Sequence, residues 1–236
     1  MRLAFAAPPP RDLACAVAGA AEQGASLLIL PEAPAEAVPE PSDGEGAREA
    51  AALARRHGLA ILRGYVERCI TGIYGSAMLI DRHGVCIANY RQAHVRRGTG
   101  RQAGQWLSAM PVEGVRLGLL VGYDIEFPEP ARALALAGCG LIAVLGGASD
   151  TDAALLLPAR ARENRCWIAY GGPEPWLVGP DGARRQLASI AGGISIGGPA
   201  PDDGPDRARA ELMADRQPRL YQELALRRLA EELRPS

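Results

Sequence analysis

This 236-residue chain predicts an α/β fold built from layered sheets. Three observations carry the prediction. Short, almost uninterrupted apolar runs such as "SLLIL" (26–30), "LIAVLGG" (141–147) and "WIAYGG" (167–172) have the length and composition of buried strands. Segments with apolar residues at helical spacing lie between them. From 59 to 90, by contrast, strand follows strand with only turn signals in between. Alternation implies parallel strands joined by crossovers, and the hairpin block implies antiparallel pairing. A layered α/β sandwich covered by helices fits both better than a simple doubly wound sheet.

The elements follow in order. "RLAFAA" (2–7) reads as the first strand and "RDLACAVAGAAEQG" (11–24) as a helix stopped by Gly24. "SLLIL" ends at Pro31-Glu32, and a Pro/Glu/Gly-rich loop (33–46) leads to the helix "AREAAALARRHG" (47–58), again closed by glycine. "LAILRGYVE" (59–67), "IYGSAMLID" (73–81) and "GVCIANY" (84–90) are strands, separated by Thr71-Gly72 and Arg82-His83-Gly84. Residues 91–110 read as irregular. "VRLGLLVGYD" (115–124) is a buried strand that breaks at Gly122, and "PEPARALALAGCG" (128–140) is a helix with proline in its first turn. "TDAALLLPARARENRC" (151–166) is helical, bent or restarted at Pro158. After "WIAYGG" come short strands to about 198, then from about 205 a helical tail interrupted at Pro218. With no long linker and no internal repeat, residues 1–236 are expected to form a single domain with that tail.

Bulk properties exclude several classes. Apolar residues make up 48% of the chain, enough for a large core, and the net charge of −1 gives no general attraction for polyanions. The basic residues Arg91, Arg96, Arg97 and Arg101 form one cluster with no aromatic interleaving, which reads as a solvated loop rather than a nucleic-acid surface. No apolar run approaches a membrane span, and "MRLAFAAPPP" turns proline-rich too early for a signal peptide. A cytoplasmic protein without cofactor or metal is expected. The five cysteines (15, 69, 86, 139 and 166) are scattered and never spaced as CxxC, so they read as small packed hydrophobes in a reducing compartment.

Three segments stand at strand exits: Glu32 after "LLILP", "NYRQAHV" (89–95), and "VGYDIEFPE" (121–129). Exits that share a sheet edge can converge on one pocket. A carboxylate, a cation and a nucleophile there would make a covalent hydrolase.

In these segments the chain resembles the nitrilase superfamily, the carbon–nitrogen hydrolases, and most closely its amidase branch. "GASLLILPEA" (24–33), "RHGLAILRGYVER" (56–68), "IYGSAMLIDRHGVCIANYRQAHV" (73–95), "LGLLVGYDIEFPEPARALALAGCGLIAV" (117–144), "PARARENRCWIAY" (158–170) and "DRQPRLYQEL" (215–224) match family segments in the family's order. The resemblance implies a four-layer αββα sandwich and a Glu-Lys-Cys site, in which cysteine attacks an amide or nitrile carbon, glutamate is general base and acid, and lysine with a backbone N–H holds the oxyanion. Position by position, Glu32 stands at the family's glutamate, Gln92 at its lysine and Gly122 at its cysteine. Tyr123, Glu126, Phe127, Gly146 and Gly147 fall around the pocket. The family often has a further glutamate after its HL motif, but no acidic residue occurs between Arg91 and Pro111. Asp124, Glu126 and Glu129 read as a strand exit and helix cap, and Glu163 and Asn164 as structural hydrogen-bonding residues.

The expectation is a homologue that has lost the family's chemistry and serves as a binding or partner subunit. It would hold a small amide or carboxylate and form a homodimer, or a heteromer with an active paralogue. The alternatives are an amidase that acts on a small amide with a non-standard nucleophile, and different chemistry with Glu32 as a general base.

Overall fold

A computed structural model describes residues 1–6, 12–146, 152–190, 193–199 and 205–225. The first half alternates β1 (Leu3–Ala6), α1 (Leu13–Glu22), β2 (Leu27–Ile29) and α2 (Glu45–His57), then runs through β3 (Ala60–Cys69), β4 (Gly72–Ile80) and β5 (Cys86–Arg91) as hairpins. Asp12 caps α1, its side chain accepting from the amides of Ala14 and Cys15. α2 closes on Gly58, whose φ of 64° is the left-handed conformation that glycine adopts without penalty. The second half continues with β6 (Ser108–Val112), β7 (Val115–Val121), a 3₁₀ turn (Gly122–Glu126), α3 (Pro128–Leu136), β8 (Leu141–Leu145), α4 (Ala153–Asn164) and β9 (Trp167–Gly171). β10 (Trp176–Val178), β11 (Arg184–Arg185), β12 (Ala188–Ile190), β13 (Ile194–Gly197), α5 (Pro205–Ala214) and a final 3₁₀ stretch (Pro218–Ala225) complete the chain.

Two mixed sheets result. One has seven strands in the order β12-β13-β1-β2-β3-β4-β5, the other six in the order β11-β10-β9-β8-β7-β6. The pairs joined by helical crossovers, β1–β2–β3 and β7–β8–β9, are parallel, whereas the β3–β4–β5 hairpins are antiparallel. Side-chain alternation sorts the core into layers. Ala77 and Leu79 of β4 and Leu141, Ala143 and Leu145 of β8 meet in a cluster between the sheets. Met78 and Ile80 face α1 and α2 on one outer side, and Ile142 and Val144 face α3 and α4 on the other. The layers are therefore α, β, β, α, as expected.

Four local expectations are corrected. Residues 108–112 form β6, paired with β7; its "SAMPV" lacks a clean alternation, which hid it in the sequence. α4 is not restarted at Pro158 but runs from Ala153 to Asn164 with the proline inside it. Cys15 and Cys86 are exposed and Cys69 is half-buried, because they lie on outward positions of α1, β5 and the β3–β4 hairpin. The basic cluster is divided: Arg91 is tied to Glu67, Arg101 to Glu32, and Arg96 lies 4.0 Å over the Tyr123 ring, leaving Arg97 exposed. All five cysteines are free thiols, and among the described residues no helix is long and apolar enough to cross a membrane.

Candidate functional site

The strand exits converge from both sheets rather than along one edge. Glu32 leaves β2 and Gln92 leaves β5 in the seven-stranded sheet, while Gly122 leaves β7 in the six-stranded one. Cross-sheet hydrogen bonds hold the exits together. The Glu32 amide donates to the Gly146 carbonyl at 3.1 Å, Gln92 Nε2 to the Val121 carbonyl at 2.9 Å, and the Tyr90 hydroxyl to Asp124 Oδ2 at 2.7 Å. Gly64 of β3 lets the Pro31–Ala33 backbone pass, since a Cβ there would lie 2.6 Å from the Pro31 carbonyl oxygen.

Gly122 is buried, with φ +43°, at the point where β7 breaks into the 3₁₀ turn. A Cβ built on it would run into Glu32 Oε2 and lie 3.5 Å from Gln92 Nε2. The glutamate carboxylate thus occupies the space that a side chain at 122 would enter. Gln92 is 5% exposed and spends its Nε2 on the Val121 carbonyl. It therefore closes the strand end as a neutral crosslink.

The cation at this site is Arg101. Its Nη1 lies 3.4 Å from Glu32 Oε1, and both side chains are largely buried (13% and 17% exposed). Gly75 on β4 gives it room: a Cβ at 75 would sit 3.1 Å from Arg101 Nη1 and 3.1 Å from Gln92 Oε1. Arg101 Nη2 is buried and has no hydrogen-bond partner among the described residues. A buried guanidinium N–H without an acceptor costs about 1–3 kcal/mol.

Asp124, read from the sequence as part of a strand exit and cap, is fully buried and caps the 3₁₀ turn by accepting from the Val121 amide; α3 itself has no side-chain cap bond. It accepts from the Tyr90 hydroxyl, the His94 amide (2.8 Å), His94 Nδ1 (3.0 Å) and the Val121 amide (3.1 Å). One carboxylate thereby pins "YRQAH" to "VGYD". His94 also stacks on Phe127 at 4.0 Å, and Phe127 meets Tyr123 edge-on at 5.3 Å. Arg160, 8% exposed, donates to the Ile125 and Glu126 carbonyls and braces the turn from α4. Asn164 Nδ2 donates to the Arg160 carbonyl and Glu163 pairs with Arg160, the structural roles expected of them. Glu129 is exposed in the first turn of α3. Glu126 is half-buried, 3.8 Å from Arg96. Gly146 packs against the Tyr170 ring where any Cβ would collide, and Gly147 lies outside the described residues.

No cysteine takes the place of a side chain at 122. Burial pushes the Cys139 thiol up and the Cys166 thiol up to about 12. Cys69 is held below the usual thiol range, chiefly by the Thr71 side chain and then its backbone, with a smaller contribution from the Arg91 charge. It lies at the far end of β3, five residues and roughly 17 Å along the strand from the Gly64 that abuts Glu32. Arg101 and Asp124 were the residues missed by sequence reasoning. Two glycines, at 75 and 122, opposite an arginine-bearing loop are the signal that could have pointed to Arg101.

Comparison with known proteins gives a consistent picture. The carbon–nitrogen hydrolase family model matches residues 11–173. A protein of Pseudomonas protegens named "hydrolase in pqqF 5′region" is 35% identical over 268 residues, 96% of this chain and 93% of its own. The NitN amidase of Nesterenkonia sp. AN1 superposes with a TM-score of 0.79 at 27% identity, over 95% of this chain and 99% of its own. A mutant of that amidase, carrying the acetamide moiety of fluoroacetamide on its active-site cysteine, gives a TM-score of 0.78 at 25% identity over 94% and 96% of the two chains.

Proposed function

The chain belongs to the carbon–nitrogen hydrolase family, and from that premise we propose that it is a member without the family's covalent chemistry, acting as a binding or partner subunit. The observation that carries this reading is Gly122, with the Glu32 carboxylate lying where a side chain at 122 would enter. Thioester chemistry needs a thiol within reach of the substrate carbon. Losing the nucleophile of residues that work as a unit leaves only residual catalysis. Gln92 offers a neutral dipole, and the site's cation, Arg101, is engaged by Glu32.

The ligand supported best is a small amide or carboxylate. Its oxygen would accept from Arg101 Nη2, the buried donor that has no partner among the described residues. A homodimer, or a heteromer with an active paralogue, is the assembly this role implies. A second reading, hydrolysis without a covalent step, is favoured by one observation: Glu32 retains a carboxylate beside a cation at the same strand exits.

One experiment separates the two. The purified protein is incubated with a panel of aliphatic and aromatic amides while released ammonia and intact mass are followed. Background ammonia and an unmodified mass support the non-catalytic reading. Ammonia release that disappears in Glu32→Gln overturns it and establishes the second.

A further inference from the structure

At the β4–β5 edge of the seven-stranded sheet lies a pocket of about 380 Å³. That volume falls within the range of small-molecule sites. Its walls include Thr71 and Tyr74 from the β3–β4 hairpin, Asn89 and Arg91 from β5, and Trp106 and Ser108 from the chain that returns along the sheet edge. Among the described residues no carboxylate lines it, and Arg91 is its one cation.

Arg91 is preorganised. Its Nε and Nη2 donate to Glu67 Oε2 (3.0 Å) and Oε1 (2.6 Å), and its guanidinium carbon lies 4.3 Å from the centre of the Tyr74 ring. Ser76 (2.8 Å) and Asn89 (3.1 Å) also donate to Glu67 Oε2, and Glu67 is 2% exposed. The negative charge is thus satisfied from four donors beneath the sheet surface. The hydrogen bonds that Arg91 makes among the described residues run from Nε and Nη2, so Nη1 is the donor left for a ligand. An always-charged guanidinium held in place in this way can donate from Nη1 to one oxygen of a carboxylate. Beside it stands Trp106, 82% exposed, in contrast to Trp167 at 3%. An exposed indole on the wall of a cavity is a stacking surface for a planar ring.

We propose that this pocket is a second ligand site that takes a small aromatic carboxylate, the carboxylate on Arg91 and the ring against Trp106. It shares no lining residue with the Glu32–Arg101 site, and does not depend on whether that site is catalytic.

The test is a titration of the whole protein with benzoate, followed by tryptophan fluorescence and calorimetry. Benzamide, cyclohexanecarboxylate and inorganic phosphate serve as probes that lack the charge, the ring or the organic body. Benzoate is expected to saturate, with each other probe at least about tenfold weaker. Trp106→Ala and Arg91→Lys should each weaken benzoate by about tenfold, with the exposed Arg97→Ala unchanged. Arg91 neutralises a buried glutamate, so Arg91→Lys can unfold the sheet edge; Trp106→Ala removes only an exposed side chain and keeps the question answerable. Cys69 supplies an independent readout, because its sulfur lies 3.4 Å from Arg91 Nη2. Bound benzoate should slow its alkylation but not that of the exposed Cys15 and Cys86. The proposal is overturned by non-saturating benzoate, by phosphate binding as tightly as benzoate, or by affinity that survives Trp106→Ala and is lost in Arg101→Ala.

Discussion

Arg101 Nη1 lies 3.4 Å from Glu32 Oε1, across 69 positions of sequence, in a space opened by the missing side chains of Gly75 and Gly122. Cation, carboxylate and both glycines form one arrangement. A Cβ at Gly122 would run into Glu32 Oε2, and one at Gly75 would press on Arg101 Nη1 at 3.1 Å.

The first prediction follows from this pairing. Arg101→Met and Glu32→Gln should each lower stability, and the double variant should lose less than the sum. A coupling of about 1 kcal/mol is expected for two groups that are largely but not fully buried. Urea unfolding of the four proteins measures it. Strict additivity would mean that the two side chains do not interact.

Asp124 should be the costliest polar position of the site. Asp124→Asn preserves shape but turns an acceptor-only group into one whose NH₂ must face either the His94 amide or the Val121 amide, depending on which oxygen it replaces. A loss of about 3 kcal/mol is expected, together with a detached "YRQAH" segment. Urea midpoints and hydrogen exchange at the His94 amide report the two effects. A loss below about 1 kcal/mol would show that the carboxylate charge is dispensable.

These residues also show what the sequence did and did not make legible. The sheets and helices were readable because apolar periodicity records burial directly: "LIAVL" is buried on both faces, and α2 places Ala47, Ala50 and Ala54 on one. β6 was not, because Pro111 and Ser108 blur its alternation. Resemblance to a known family brought Glu32, Gln92 and Gly122 to attention, but not what fills the gap. Arg101 is a long-range partner from an irregular loop, and no local pattern separates such an arginine from a solvated one. Cys15 and Cys86 were misplaced for a related reason: a small thiol carries too little apolar area to fix which way its position faces.

Acid should weaken the sheet edge through Glu67. Burial raises its pKa, but hydrogen bonds from Arg91, Ser76 and Asn89 and the charge of Arg91 outweigh that, leaving it below the ordinary 4.5. A depressed folded-state pKa gives a contribution that is fully present above the ordinary value and is lost as pH falls through the lower, folded one. Stability measured from about pH 6 down to about pH 3 should therefore fall more steeply in the wild type than in Glu67→Gln. Parallel slopes would remove Glu67 from the account.

Restoring the family residues should not restore the family reaction. At φ +43°, any side chain at 122 pays about 1–2 kcal/mol in backbone strain, and its Cβ must displace Glu32 Oε2. A lysine at 92 would start from a side chain whose Oε1 now shares the Gly75 niche with Arg101 Nη1. Two cations would then compete for Glu32, and their repulsion would push one outward. Gly122→Cys with Gln92→Lys is therefore expected to fold with a lower urea midpoint and to release ammonia from small amides only at background. Adding Arg101→Ala removes the competing cation, so any hydrolysis should emerge in the triple variant first. Strong turnover in the double variant would show that the pocket tolerates both cations and that only the two family side chains are lacking.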